Sequence, residues 1–429
     1  VNATNSGNVT LTNGNGGITL NTAANQVTGN VLTVRATGSS FLNTNVTSLD
    51  AVISGSGSLT VNEANNLVLA QARTANGAVN LTTTLNSVVS INSVNVATGL
   101  NGNLTITNGY IYVYAPGIFG TNTVDLRATQ GVTIMSGTIN APTVLLPGGA
   151  TPTLNWQVNS SGDSGAGSIR DVIARINAAG PKSYSSTIVV STPTFVSLLS
   201  PLPAMTVQMN VAGNNLLTLD GTSAGASASG FTITSSSTLR STISGVTFQR
   251  FGAAGIDLVG ARSISVTRVT VKDSGIGFRA SGNLSGSGVF SSTFTNNVVG
   301  GVLANAQNLL VGVNPVNGVL GANTFTGGTG FRGSSTTGLS ISGVSTGTQV
   351  KANRFDRYPT AISLVGATNV AVGGSAVGEG NVIANAVTAG VYATGFCQGS
   401  SVIKTTFGVG VLSARQYVVS TSRNLVIVR

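Results

Sequence analysis

Seven triplets recur in the second half of the chain, closing on Phe248, Val271, Phe294, Phe325, Phe355, Ile383 and Phe407. The closing residues lie 23, 23, 31, 30, 28 and 24 positions apart. A second strand-like piece follows each triplet, opened by Gly or Ala. These include Gly255-Ile256-Asp257-Leu258, Gly275-Ile276-Gly277-Phe278, Gly301-Val302-Leu303, Gly330-Phe331, Ala361-Ile362-Ser363-Leu364 and Gly410-Val411-Leu412. A third piece completes each coil, as in Ile264-Ser265-Val266, Leu309-Leu310-Val311, Leu339-Ser340-Ile341 and Leu425-Val426-Ile427. Three short strands per repeat of roughly two dozen residues predict an all-β parallel β-solenoid. In that register Phe248, Phe294, Phe325, Phe355 and Phe407 point inward as a discontinuous aromatic stack along one wall.

Composition fits this reading. Only 7% of the 429 residues are charged, where a globular enzyme of this size carries about a quarter. Disorder is disfavoured because 41% of residues are apolar. Val and Thr suit pleated strands, and Gly and Asn suit tight corners. No apolar run is long enough to span a membrane as a helix. The chain opens on Val1 rather than Met, which predicts a processed secreted form or a fragment.

Residues 1–155 read as a first solenoid with a looser repeat. Ser58-Leu59-Thr60-Val61 and Ala78-Val79-Asn80-Leu81 sit 20 residues apart there. Tyr110, Tyr112 and Tyr114 alternate with Ile111 and Val113 and share one face, as a packed lateral seam or a sugar-stacking platform. Pro142, Pro147 and Pro152 mark a junction, and residues 156–429 form the second domain. A helix is predicted over 168–179. Ser168 and Asp171 form its capping box, Ile169, Val172, Ile173 and Ile176 its apolar stripe, and Gly180-Pro181 its stop. Laid across the first coil, it covers bare core and unpaired strand edges.

The stretch 159–170, Asn-Ser-Ser-Gly-Asp-Ser-Gly-Ala-Gly-Ser-Ile-Arg, resembles the segment that opens many secreted bacterial right-handed parallel β-helix proteins. Residues 372–383, Val-Gly-Gly-Ser-Ala-Val-Gly-Glu-Gly-Asn-Val-Ile, are similar to a recurrent coil of the same proteins, and residues 311–325 to a diverged copy. Together they cover about 156–429 and resemble the pectate lyase-like superfamily. Residues 1–155 resemble haemagglutinin-type repeats of bacterial surface proteins. The resemblance implies a right-handed parallel β-helix. It implies no one activity, because such folds serve lyases, glycosidases, tailspikes, adhesins and structural proteins.

Catalytic chemistry finds little material. The chain has no His, one Cys (Cys397) and ten acidic residues. A glycosidase needs two carboxylates within reach of one bond, and a lyase needs a carboxylate cluster for Ca²⁺. In the register above Asp257 faces Gly277 of the next coil. Asp273 faces Arg250, which predicts a solvated ion pair, and Asp356 sits beside Arg357. No catalytic residue, metal site or cofactor is expected, and Cys397 reads as a small buried hydrophobe.

Residues 1–155 carry no net charge, and residues 156–429 carry 17 basic and 7 acidic side chains. That excess serves solubility or meets an anion such as acidic polysaccharide. Arg279 and Arg332, beside Phe278 and Phe331, are placed two coils apart as an anion ridge. No nucleic-acid partner is expected. The expected function is an extracellular structural protein, a self-assembling subunit of a cell-surface fibre, sheath or matrix. The alternatives are a polysaccharide-binding adhesin and a carbohydrate-active enzyme or tailspike. Head-to-tail homopolymers would join Val1 and Leu11 at one end to Leu425, Val426, Ile427 and Val428 at the other.

Overall fold

Parallel strand pairing links coil to coil through most of the chain's strands. The computed structural model describes residues 7–20, 26–96, 102–120, 122–141, 143–147, 153–180, 184–312 and 321–428. It is a parallel β-solenoid with one helix of substance. No described helix is long and apolar enough to cross a membrane. The chain divides into two compact units, Val1–Val158 with Lys182–Thr187, and Asn159–Pro181 with Ile188–Arg429.

In the first unit the inward column Leu32, Leu49, Leu69, Ile91, Val113, Ile134, Trp156 is continuous in register and fully buried. A second column joins Leu42, Val61, Leu81 and Ile106. The expected pairing of Leu59 with Val79 is present. Period-2 alternation produces these columns, because every second side chain of a strand faces the core.

In the second unit the triplets pair as their spacing predicts. Phe248 pairs with Val271, then Phe294, Phe325, Phe355, Ile383 and Phe407 follow rung by rung. Phe294, Phe325 and Phe355 stack with centroids 4.8 Å apart and nearly parallel rings. Phe278 reaches in from the second wall to within 5.2 Å of Phe294. The column is broken where Val271 and Ile383 stand. Phe248 there turns edge-on to Phe231, and Phe407 turns edge-on to Tyr417. Phe407 is half-buried, whereas the other four are fully enclosed. The third wall aligns Val266, Val289, Val311, Val350, Val372, Val402 and Ile427.

The second wall corrects two expectations. Gly330-Phe331 is not its strand. Thr329–Gly330 and Gly333–Ser334 form a small antiparallel hairpin laid against Asn296 and Arg250 of earlier coils. The wall is carried instead by Thr337–Val344, so Leu339 pairs with Gly301 and Ile362. Leu339-Ser340-Ile341 therefore moves from the third wall to the second, and Gln349–Val350 takes the third. In the last coil Gly410-Val411-Leu412 lies outside any strand. Helix α2 (Ser413–Gln416) follows, and Tyr417–Arg423 forms the wall against Ala389–Phe396.

Helix α1 (Ile169–Ala179) forms as predicted, with Ile169, Val172, Ile173 and Ile176 buried. Ser168 Oγ accepts from Asp171 N–H at 3.2 Å. The reciprocal arm differs from a standard capping box. Asp171 accepts from Gly167 N–H at 2.8 Å, one residue before the cap. The helix docks on the first coil of its own unit. Arg170 donates to the carbonyls of Ser200 and Pro201, and Asn177 bonds Ala204 and Thr206.

Coil corners in this unit are held by buried amides. Asn297, Asn323, Asn353 and Asn381 have no exposure. Asn323 Nδ2 donates to Asn353 Oδ1 at 2.9 Å, and Asn353 Nδ2 to Asn381 Oδ1 at 3.2 Å. The same amides bond the backbone carbonyls of Val289, Val311 and Val350. Buried backbone groups that a corner removes from the ladder are thus satisfied.

Candidate functional site

Ion pairing decides what the acidic residues can do. Asp257 does not face Gly277. The second wall pairs Ile256 with Phe278 and Asp257 with Arg279, two residues on from the expected register. Arg279 clasps Asp257 in a fork, Nε to Oδ1 at 3.0 Å and a terminal nitrogen to Oδ2 at 2.5 Å. Arg250 is not paired with Asp273 but with Asp220, at 2.7 Å. Burial pushes the Asp220 carboxyl up, but hydrogen bonds from Thr222 and Gln249 and the Arg250 charge outweigh it, so its pKa is lowered. Asp356 lies 3.7 Å from Arg357 and accepts from Asn385. Among the described residues no group of three or more His, Cys, Asp or Glu could hold a metal ion. Cys397 is buried, its Sγ turned toward Thr394 O.

The expected anion ridge is not built. The position of Arg279 passes through Val302 to Ser340, not to Arg332. Arg332 sits on the hairpin and donates to Arg250 O at 2.6 Å. Phe331, 55% exposed, lies beside both guanidiniums, 5.1 Å from Arg332 and 5.9 Å from Arg250. Both cations are thereby tied to the hairpin, while Arg279 belongs to Asp257.

Among the described residues, a concave polar site lies on the outer face of the third wall. Here Gln349, Ala371 and Ser401 stack in register and point out of the core, opposite in phase to Val350, Val372 and Val402. Beside them the 28-residue coil carries its extra length as a loop over 374–380. Gly373, at φ +78°, turns the chain outward. Gly374 leaves the space that the Glu379 carboxylate fills, since a Cβ there would meet Glu379 Oε2 at 2.1 Å. Glu379 accepts from Lys351 Nζ at 3.0 Å and from Ala376 N–H at 3.2 Å. The hydrogen bond from Lys351 holds the Glu379 carboxyl below its ordinary pKa. Lys404 Nζ donates to Ser375 O and pins the loop from the next coil.

The result is a groove of about 350 Å³, walled by the loop on one side and by the corner residues Gly347, Asn369 and Gly399 on the other. In the sequence this loop stands out only as part of the family-like stretch 372–383. The available signal was spacing: Lys351 and Glu379 are separated by the same 28 residues as Asn353 and Asn381.

The Tyr face of the first unit is present as read. Tyr110 is 43% exposed, Tyr112 and Tyr114 are half-buried, and Ile111 and Val113 are buried. Of the residues expected to join chains, Leu11 pairs with Val34, and Val426, Ile427 and Val428 pair with Ser401, Val402 and Ile403. Val426 and Val428 are 56% and 46% exposed, and Leu425 precedes that strand. Val1 lies outside the described residues. A scan of protein-family models finds no match to this chain, and a search of curated proteins finds none either.

Proposed function

We propose that this chain is an extracellular structural protein, a self-assembling subunit of a bacterial cell-surface fibre, sheath or matrix. In this reading residues 156–429 belong with the pectate lyase-like right-handed β-helices, and residues 1–155 with haemagglutinin-type repeats. The observation that carries it is the continuity of the inner columns. Stacked Phe294, Phe325 and Phe355 and the amide chain Asn323, Asn353, Asn381 run along the coil axis, so tension is borne by parallel hydrogen bonds in every rung. The carboxylates support a non-catalytic role, because Asp220, Asp257 and Glu379 are each committed to a cation.

Assembly follows from the geometry of parallel rungs. Any rung presents on one edge what the next rung needs on its other edge. A head-to-tail contact between copies therefore reuses the pairing of Val426–Val428 on Ser401–Ile403. Negative-stain microscopy and sedimentation of the native material should show filaments, and Val426→Lys with Val428→Lys should leave folded single chains. Monodisperse monomers at high concentration, or release of reducing ends from pectin or alginate, would refute the reading.

A polysaccharide-binding role has one favouring observation. Arg262, Arg268, Lys272 and Arg354 have no carboxylate partner among the described residues, and Arg262, Arg268 and Arg354 are exposed. Alginate retention that falls with salt would support an acidic polymer as partner.

A further inference from the structure

The third-wall groove has chemistry that the structural role does not use. Gln349 and Ser401 make no side-chain hydrogen bond to another described residue, although both face the groove. They stand two rungs apart, about 10 Å at the usual strand spacing. Between them Ala371 leaves a small flat floor. The charged wall is balanced, since the Lys351 ammonium already meets the Glu379 carboxylate. A free anion has no unopposed cation to meet at the floor. No aromatic side chain lines the groove, so base stacking has no platform. A peptide strand has no free edge to join, because the third wall is paired on both sides at Ala371–Gly373.

What remains is a trough along the axis with an amide at one end, a hydroxyl at the other and small side chains between. We propose that this groove binds a neutral, hydroxyl-rich oligosaccharide segment of two to three sugar units, without cleaving it. The Gln349 amide and Ser401 hydroxyl each both donate and accept, which matches sugar hydroxyls. The Ala371 floor accepts the C–H face of a ring, and a pyranose chain advances by roughly one rung per unit. Glu379 is the one carboxylate in the lining, and hydrolysis would require a second. The groove uses outward side chains such as Ser401, whereas assembly would use the backbone edges of rungs, so either reading can fail alone.

Isothermal titration of the full chain with maltotetraose, cellotetraose and chitotetraose tests this, with tetragalacturonate as the charged arm. At least one neutral tetrasaccharide should bind saturably. Gln349→Ala should weaken it about tenfold, the loss of a single hydrogen bond. Ala371→Trp should abolish it by filling the floor, with an unchanged melting temperature. If Ala371→Trp unfolds the chain, Gln349→Ala decides. The proposal is overturned if no neutral sugar binds, if only tetragalacturonate binds, or if neither substitution weakens binding. Shortened sugars in the titrated sample would overturn its non-cleaving part.

Discussion

Each unit has one corner column that is held by different atoms from its counterpart in the other. In the first, backbone meets backbone. Gly17, Gly38, Gly57 and Gly77 stand at successive corners, and a Cβ on Gly57 would lie 2.2 Å from Gly38 C and Ser39 N. In the second, the side chains of Asn323, Asn353 and Asn381 fill the corner and carry its hydrogen bonds. Direct contact leaves no slack, and the rungs flanking Gly57 are 19 and 20 residues long, Ser40 to Leu59 and Leu59 to Val79. An amide ladder fixes register through side chains, so a coil can lengthen elsewhere. The 30-residue coil carries the hairpin at Thr329–Ser334, and the 28-residue coil carries the loop that walls the groove. Both insertions therefore sit in coils that have an amide-held corner.

The sharpest way to break this comparison is to destroy the second core alone. Phe294→Asp puts an unpaired charge between Phe278 and Phe325. We expect loss of the folded second unit, at a cost above the 3–5 kcal/mol typical of emptying a Phe site. An unchanged thermal melt would show that the aromatic column does not hold this unit. Next comes the ladder itself. Asn353→Ala removes the acceptor of the Asn323 backbone N–H and of one Asn323 Nδ2 hydrogen, while the Val311 carbonyl keeps the Lys351 N–H, and should cost about 2–3 kcal/mol in denaturant unfolding. A cost below half of that would mean that water replaces the amide.

The first unit has a matching test. Gly57→Ala should cost about 1–3 kcal/mol through overpacking against backbone, while Gly14→Ala, whose Cβ meets nothing within 4 Å, should change stability little. Equal effects would remove close approach as the reason for these glycines.

The smallest effect concerns Glu63, 3% exposed in the first unit. Its carboxylate accepts from Thr44 Oγ1 and from the N–H groups of Val46, Ala64 and Asn65. Burial raises its pKa and outweighs those hydrogen bonds. The folded state thus holds this proton to a higher pH than the unfolded chain does. The stability Glu63 contributes is present below the unfolded carboxylate pKa and is lost as pH rises through the folded value. Glu63→Gln keeps the three backbone bonds on its oxygen and removes the charge. It should melt slightly higher than the parent at pH 7, with the gain vanishing in acid. A lower melt at pH 7 would show that the ionised form is the one the site stabilises.

The aromatic spacing was legible because one inward residue per rung must match its neighbours, and six intervals reproduced six pairings from Phe248 to Phe407. The misplacement of Asp257 has a physical cause. A slip of two residues leaves every side chain on its own face, so alternation cannot detect it. Only the hydrogen-bonded pairing of Ile256 with Phe278 puts Asp257 beside Arg279. The Asn ladder was visible as the first residue of three triplets. Its role was not, because corner residues are also Asn for their backbone conformation alone.

Sequence by itself determined the solenoid, the inward phenylalanines, α1 and its stripe, since each rests on periodicity or a local cap. Tertiary structure decided that Gly330-Phe331 is a hairpin and that Arg250 belongs to Asp220. It also decided that Lys351 and Glu379 wall a groove whose floor is Gln349, Ala371 and Ser401. These depend on which outward side chains meet across rungs. A two- or three-residue strand has too little pattern to say where it pairs, so the meeting is settled only when neighbouring coils pack.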